Sequence, residues 1–158
     1  MNLDDHKVSE FKIAGLAPPS LPKTVVDSFT AAANKALNAP PQKVVPGAAL
    51  KIKVSPQLPT DYKLSPLAPV KFTFKSAEKP EVILARGKGA VEGDQLVLQL
   101  PAMKQLSGNY TLNLRFGYCR DGVGGLCKQH SAQWNIPLQA DKGAKNESIS
   151  LSLDLSKE

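Results

Sequence analysis

The 158-residue sequence predicts an all-β fold in which two antiparallel sheets pack face to face. Three observations predict it. From residue 43 onward, apolar and polar residues alternate with a period of two, as in strands with one dry and one wet face. Turn-forming glycine, asparagine and aspartate residues separate the alternating runs. Thirteen prolines and eleven glycines are many for a helical protein and ordinary for strands joined by turns. Seven short strands with this punctuation point to an immunoglobulin-like β-sandwich, and a small barrel is the rival architecture.

The elements run as follows. Val8, Phe11 and Ile13 lie among Ser9, Glu10 and Lys12, which reads as one short strand ended by Gly15. Leu16-Ala17-Pro18-Pro19-Ser20-Leu21-Pro22 is a stiff extended linker. Thr24 to Leu37 is the one helical window, with Thr24 as the N-cap and Phe29, Ala32, Ala33 and Leu37 on one side. Its face is mostly alanine and buries little, and Pro40-Pro41 ends it. The sandwich strands follow. Leu50/Ile52/Val54, Val70/Phe72/Phe74, Leu96/Leu98/Leu100, Tyr110 to Tyr118, Ala132 to Leu138 and Ile149 to Leu155 each alternate with polar residues, and Val82 to Ala85 is a seventh, shorter strand. Gly93-Asp94, Ser107-Gly108-Asn109, Gly122 to Gly125 and Asp141-Lys142-Gly143 supply turns. Prolines 56, 59, 66, 69 and 80 suit loops and strand ends. The expected organisation is a strand-like stub over 1–16, a proline-rich linker with a short helix over 17–42, and a sandwich over 43–158.

Composition narrows the function classes. Hydrophobic residues at 42% and charged residues at 22% are near the globular average and argue against wholesale disorder. No apolar run approaches the length of a membrane-spanning helix. The start, Met1-Asn2-Leu3-Asp4-Asp5-His6-Lys7, is acidic and lacks the apolar core of a secretion signal, which leaves the compartment open. The net charge of +6 is concentrated in residues 41–140, which carry thirteen basic and six acidic groups. Seventeen of the twenty basic residues are lysine, and only Arg86, Arg115 and Arg120 are arginine. Nucleic-acid readers favour arginine beside exposed aromatics, so no nucleic-acid partner is expected. An electrostatic binder of some other anionic partner stays open.

Cys119 and Cys127 are the residues that offer distinctive chemistry. Both fall on the polar parity of their strands. A hairpin centred on Val123 sets them directly opposite, where Cβ atoms lie roughly 4.5–5.5 Å apart. Three readings follow: a structural disulfide clamping a glycine-rich hairpin, a redox-active pair whose thiolate is favoured by Arg120 and Lys128, and two free thiols. The pair is not a C-x-x-C motif. His130 with the two cysteines falls short of a closed metal set, and His6 and His130 lack zinc-finger spacing, so no metal is expected. Gly87, Gly89 and Gly93 match neither the dinucleotide pattern nor the P-loop, so no phosphate-bearing cofactor is expected. No Ser/His/Asp set is visible. Trp134 has inward parity and reads as core.

The residues also resemble a known family. Val44-Val45-Pro46-Gly47, Leu50-Lys51-Ile52-Lys53, Leu96 to Leu100, Phe116-Gly117-Tyr118-Cys119, Leu126-Cys127-Lys128 and Ile136-Pro137-Leu138 resemble, in pattern and order, the C-terminal β-sandwich of NHL-repeat proteins that begin with a thioredoxin-like domain. The resemblance covers about residues 43–140. His6 to Leu16 is similar to the last strand of an NHL blade and the exit from it. The chain thus looks like an excised C-terminal piece of a larger protein whose thioredoxin-like domain and six-bladed propeller lie elsewhere. What this implies is a non-catalytic accessory domain that binds no cofactor and packs against those two domains as partners. A looser similarity to the N-terminal sandwich of disulfide reductases of the DsbD type implies the alternative. That alternative is thiol–disulfide exchange with Cys119 as nucleophile and Cys127 as resolving thiol.

Overall fold

The computed structural model describes residues 35–122, 124–145 and 147–157. The described residues contain eleven strands and no helix. The predicted strand at Val8–Ile13 lies outside them, as does the predicted helix up to residue 34. The last residues of that helical window, Ala36 and Leu37, belong to a strand.

The larger sheet contains β1 (Ala36–Asn38), β2 (Gln42–Val44), β4 (Tyr62–Leu64), β5 (Lys71–Ser76), β6 (Ile83–Lys88), β9 (Gly108–Arg120) and β10 (Cys127–Ala140). Its order is β1-β10-β9-β5-β6, with β2 also on β10 and β4 also on β9. The smaller sheet runs β11 (Ser148–Asp154), β3 (Leu50–Gln57), β8 (Gln95–Leu100) and β7 (Ala90–Glu92).

The expectation of purely antiparallel sheets is corrected: both sheets are mixed. β1 and β2 run parallel to β10, and β11 runs parallel to β3. Hairpins force antiparallel neighbours, but the first and last strands reach their partners from far along the chain, so no hairpin dictates their direction. The short strands β1, β2, β4 and β7 have three residues each. That is too short for an alternation to be visible in sequence.

Alternation decides the core. Phe72, Phe74, Leu112, Leu114, Phe116, Trp134 and Ile136 of the larger sheet are buried in one cluster with Leu50, Ile52, Val54, Leu96, Leu98 and Leu151 of the smaller sheet. Phe74 stacks on Tyr110 at 5.1 Å between ring centroids. Trp134 is 2% exposed, a core position as its parity predicts.

Two prolines sit inside strands without breaking ladders. The bonds Lys51 N to Glu147 O and Leu155 N to Gln57 O show that odd-numbered residues of β3 face β11. Pro56 therefore points its missing N–H towards β8, past the last pair, Val54 with Leu96. Pro137 faces the β1/β2 side of β10, between the last β1 pair (Asn38 with Asn135) and the first β2 pair (Gln42 with Leu138). Pro40 and Pro41 interrupt the edge at the same level, so neither side has a donor there to lose.

The chain crosses from the larger sheet to the smaller at Gly89, between β6 and β7. Its N–H bonds Val70 O at 2.9 Å. A Cβ there would lie 2.5 Å from Leu98 Cδ2 and 2.8 Å from Val70 Cγ1. Gly89→Ala is expected to overpack this corner and destabilise the fold by about 1–3 kcal/mol, read from the midpoint of denaturant unfolding.

Candidate functional site

The site grows from the β9–β10 hairpin. Its register pairs Cys119 with Cys127 and Tyr118 with Lys128, as a turn centred on Val123 requires. Arg120 N donates to Leu126 O at 3.0 Å, so positions 120 and 126 form a hydrogen-bonded pair. The cysteines are consequently a non-hydrogen-bonded pair, the position at which side chains approach most closely. The structure joins them as a disulfide, with 4.0 Å between Cα atoms. The loop needs glycine at position 125, where a Cβ would lie 2.2 Å from Arg120 O.

Two of the three cations around the disulfide are engaged. Lys63 of β4 pairs with Cys119 on its other side, so both share one face of the sheet. Lys63 Nζ binds Asp121 Oδ2 at 2.6 Å. This bond raises the Lys63 pKa and holds the Asp121 carboxyl below its ordinary 3.8. Lys128, of opposite parity, lies over the Tyr62 ring at 5.5 Å. Tyr62 in turn meets Tyr118 edge-on at 5.5 Å. Arg120 is exposed at the strand end. Sequence proximity predicts Lys128 as a thiolate-stabilising cation, and the pleat sends it to an aromatic surface instead. Lys63 was missed because nothing in the sequence reveals that β4 lies beside β9.

The two cysteines differ in exposure: Cys127 is exposed and Cys119 is half-buried. His130 has the opposite parity from Cys127 and lies 5.9 Å from the Phe116 ring, so the strand separates it from the disulfide face. Among the described residues no three His, Cys, Asp or Glu side chains gather where they could hold a metal. No described helix is long and apolar enough to cross a membrane. The glycines of the 86–93 segment serve geometry. Gly89 is the sheet-to-sheet corner, and Gly93, with φ 62°, opens the two-residue β7–β8 turn. A cleft of about 780 Å³ lies over the smaller sheet, lined in part by Lys51, Lys53, Gln99 and Glu147.

The outward face of the larger sheet has a chemistry of its own. Thr73 and Asn113 are paired neighbours on β5 and β9, both 4% exposed, and Asn113 Oδ1 has no hydrogen-bond partner. No protein-family model matches the chain, and no curated protein is similar to it in sequence.

Two outcomes are expected. Replacing both cysteines by alanine removes a nine-residue ring, which in the chain-entropy model lowers stability by about 2.5 kcal/mol. The domain should keep its fold, checked by circular dichroism and chemical denaturation. Lys63→Met should move the Asp121 carboxyl titration, followed by NMR, upward towards 3.8. Because the folded value is depressed, the pair's contribution is present above the ordinary value and is lost as pH falls through the folded one.

Proposed function

We propose that the chain is a non-catalytic interaction domain built as an immunoglobulin-like β-sandwich. In a longer protein it packs beside an NHL propeller and a thioredoxin-like domain, as the resemblance of residues 43–140 implies. The observation that carries this reading is the state of the one reactive pair. Cys119 and Cys127 are closed in a disulfide at the end of a long hairpin. The cation on their face, Lys63, is held by Asp121, and Lys128 is committed to Tyr62. The third nearby cation, Arg120, is exposed and forms no ion pair among the described residues, but it pairs with Tyr62 and so has the parity opposite to Cys119. A thiolate on the outward face therefore lacks the free cation beside it by which exchange-active cysteines are activated. Two sheets sharing one core support the sandwich, and its shape offers faces and edges for docking without a catalytic set.

The exposure of Cys127 favours a second reading, a thiol–disulfide exchange module. In that case the thiolate of an external dithiol protein attacks Cys127 Sγ, and Cys119 leaves as a thiolate. The second thiol of the donor then resolves the mixed disulfide. The donor ends oxidised by two electrons, and the pair ends as two thiols. The greater exposure of Cys127 supports attack there, the reverse of the order expected from sequence, in which Cys119 is the nucleophile and Cys127 the resolving thiol.

Equilibration of the chain with a dithiol redox buffer separates the two. The interaction domain is expected to give a potential below about −300 mV and no catalysis of thiol exchange between small-molecule substrates. A higher potential with measurable turnover contradicts it.

A further inference from the structure

The registers of β6, β5, β9 and β10 place side chains in rows across the outward face of the larger sheet. One row reads Lys88, Lys71, Arg115, Ser131. The next reads Arg86, Thr73, Asn113, Gln133. In the third, Lys75 is followed by Thr111, Asn135 and Asn38. These rows carry five cations and no carboxylate. Lys71, Arg86 and Lys88 are exposed, while Lys75 and Arg115 are half-buried. Among the described residues none of the five makes an ion pair; Arg115 donates to the Gln129 side chain.

Such an arrangement opposes folding. Directly opposed side chains in a sheet have Cβ atoms roughly 4.5–5.5 Å apart, and like charges there are destabilising. Lys71 is set between Arg115 and Lys88, so it bears this cost on both sides. The partnerless Asn113 Oδ1 adds a second cost on the same face. Neither is needed to build the core, which lies on the other side of the strands.

We propose that this face is a docking surface for a carboxylate-rich polypeptide. Carboxylates would neutralise the Lys88–Lys71–Arg115 row. The amides of Gln133, Asn135 and Asn38 would meet the peptide groups of such a partner, which both donate and accept. A phosphodiester backbone accepts but does not donate, and the rows carry no aromatic side chain on which a base could stack. The inference rests on the reading of the chain as an interaction domain and names the face and the chemistry that it recognises.

The test uses the full chain with poly-glutamate as probe, and single- and double-stranded DNA as competing polyanions at equal salt. Lys71→Gln/Lys88→Gln is expected to weaken poly-glutamate binding by about tenfold. It is also expected to raise the unfolding midpoint, because an opposed like-charge row is relieved. A matched pair on the other sheet, Lys51→Gln/Lys53→Gln, removes the same charge and should change binding by less than about twofold if the face, not net charge, is responsible. Equal losses in the two double variants, no loss in the first, or tighter binding to DNA than to poly-glutamate each overturn the proposal. Failure here leaves the non-catalytic reading standing if no thiol turnover is seen. Turnover with poly-glutamate binding intact overturns that reading and leaves the surface.

Discussion

The pairing of β9 with β10 is the constraint on which the larger sheet depends. It runs from Gly108 with Leu138 to Cys119 with Cys127, twelve residue pairs in one register. A slip by one residue would invert the faces of the strand that moves. For β9 it would turn Leu112, Leu114 and Phe116 out and bring Asn113 and Arg115 into the core, and for β10 it would turn Trp134 and Ile136 out and bring Gln133 in. Burying each large apolar side chain contributes roughly 1.5–3 kcal/mol, so the register is specified many times over along its length. The remaining strands of that sheet are added to this ribbon: β1 and β2 on the β10 side, β5 and β4 on the β9 side, and β6 outside β5.

That ribbon also explains why the disulfide and the cationic rows belong to different parts of one surface. Odd-numbered residues of β9 share the outward face from Thr111 through Arg115 to Cys119. At the far end, where β5 no longer accompanies β9, the three-residue strand β4 takes its place and brings Lys63 beside Cys119. Gly117 separates the two zones, because the 65–68 turn closes over it: a Cβ at Gly117 would lie 2.5 Å from the Ala68 Cβ. On one side of this crossing Lys63 is bound to Asp121. On the other side lie cations without counter-ions among the described residues. The disulfide thus lies beside an ion pair, while the unpaired cations lie where the sheet is broadest.

Much of this was legible in sequence. The period of two along Leu50–Val54, Leu96–Leu100 and Tyr110–Tyr118 is a direct imprint of burying one face. The opposition of Cys119 and Cys127 follows from the position of the turn glycines alone. Parallel pairing of β11 with β3 left no such imprint, since Ile149, Leu151 and Leu153 alternate identically for either direction. The strands β1 and β4 are recognised by what they pair with, not by their own three residues. The same limit applies to the cationic rows. Lys71, Lys88 and Arg115 are unremarkable as isolated outward residues, and only strand order makes them neighbours. The orientation of Lys128 was hidden for a simpler reason: adjacent residues on a strand point to opposite faces.

Native-state hydrogen exchange, with the disulfide oxidised and then reduced, bears most directly on the role given to the β9–β10 ribbon. If the disulfide clamps one end of a register already set by the core, reduction accelerates exchange around Arg120 and Leu126. The amides of Leu112, Leu114 and Trp134 then stay among the slowest in the domain. Loss of protection along the whole of β9 and β10 on reduction would contradict this, and would mean that the sheet is held by its sulfur bridge and not by its buried face.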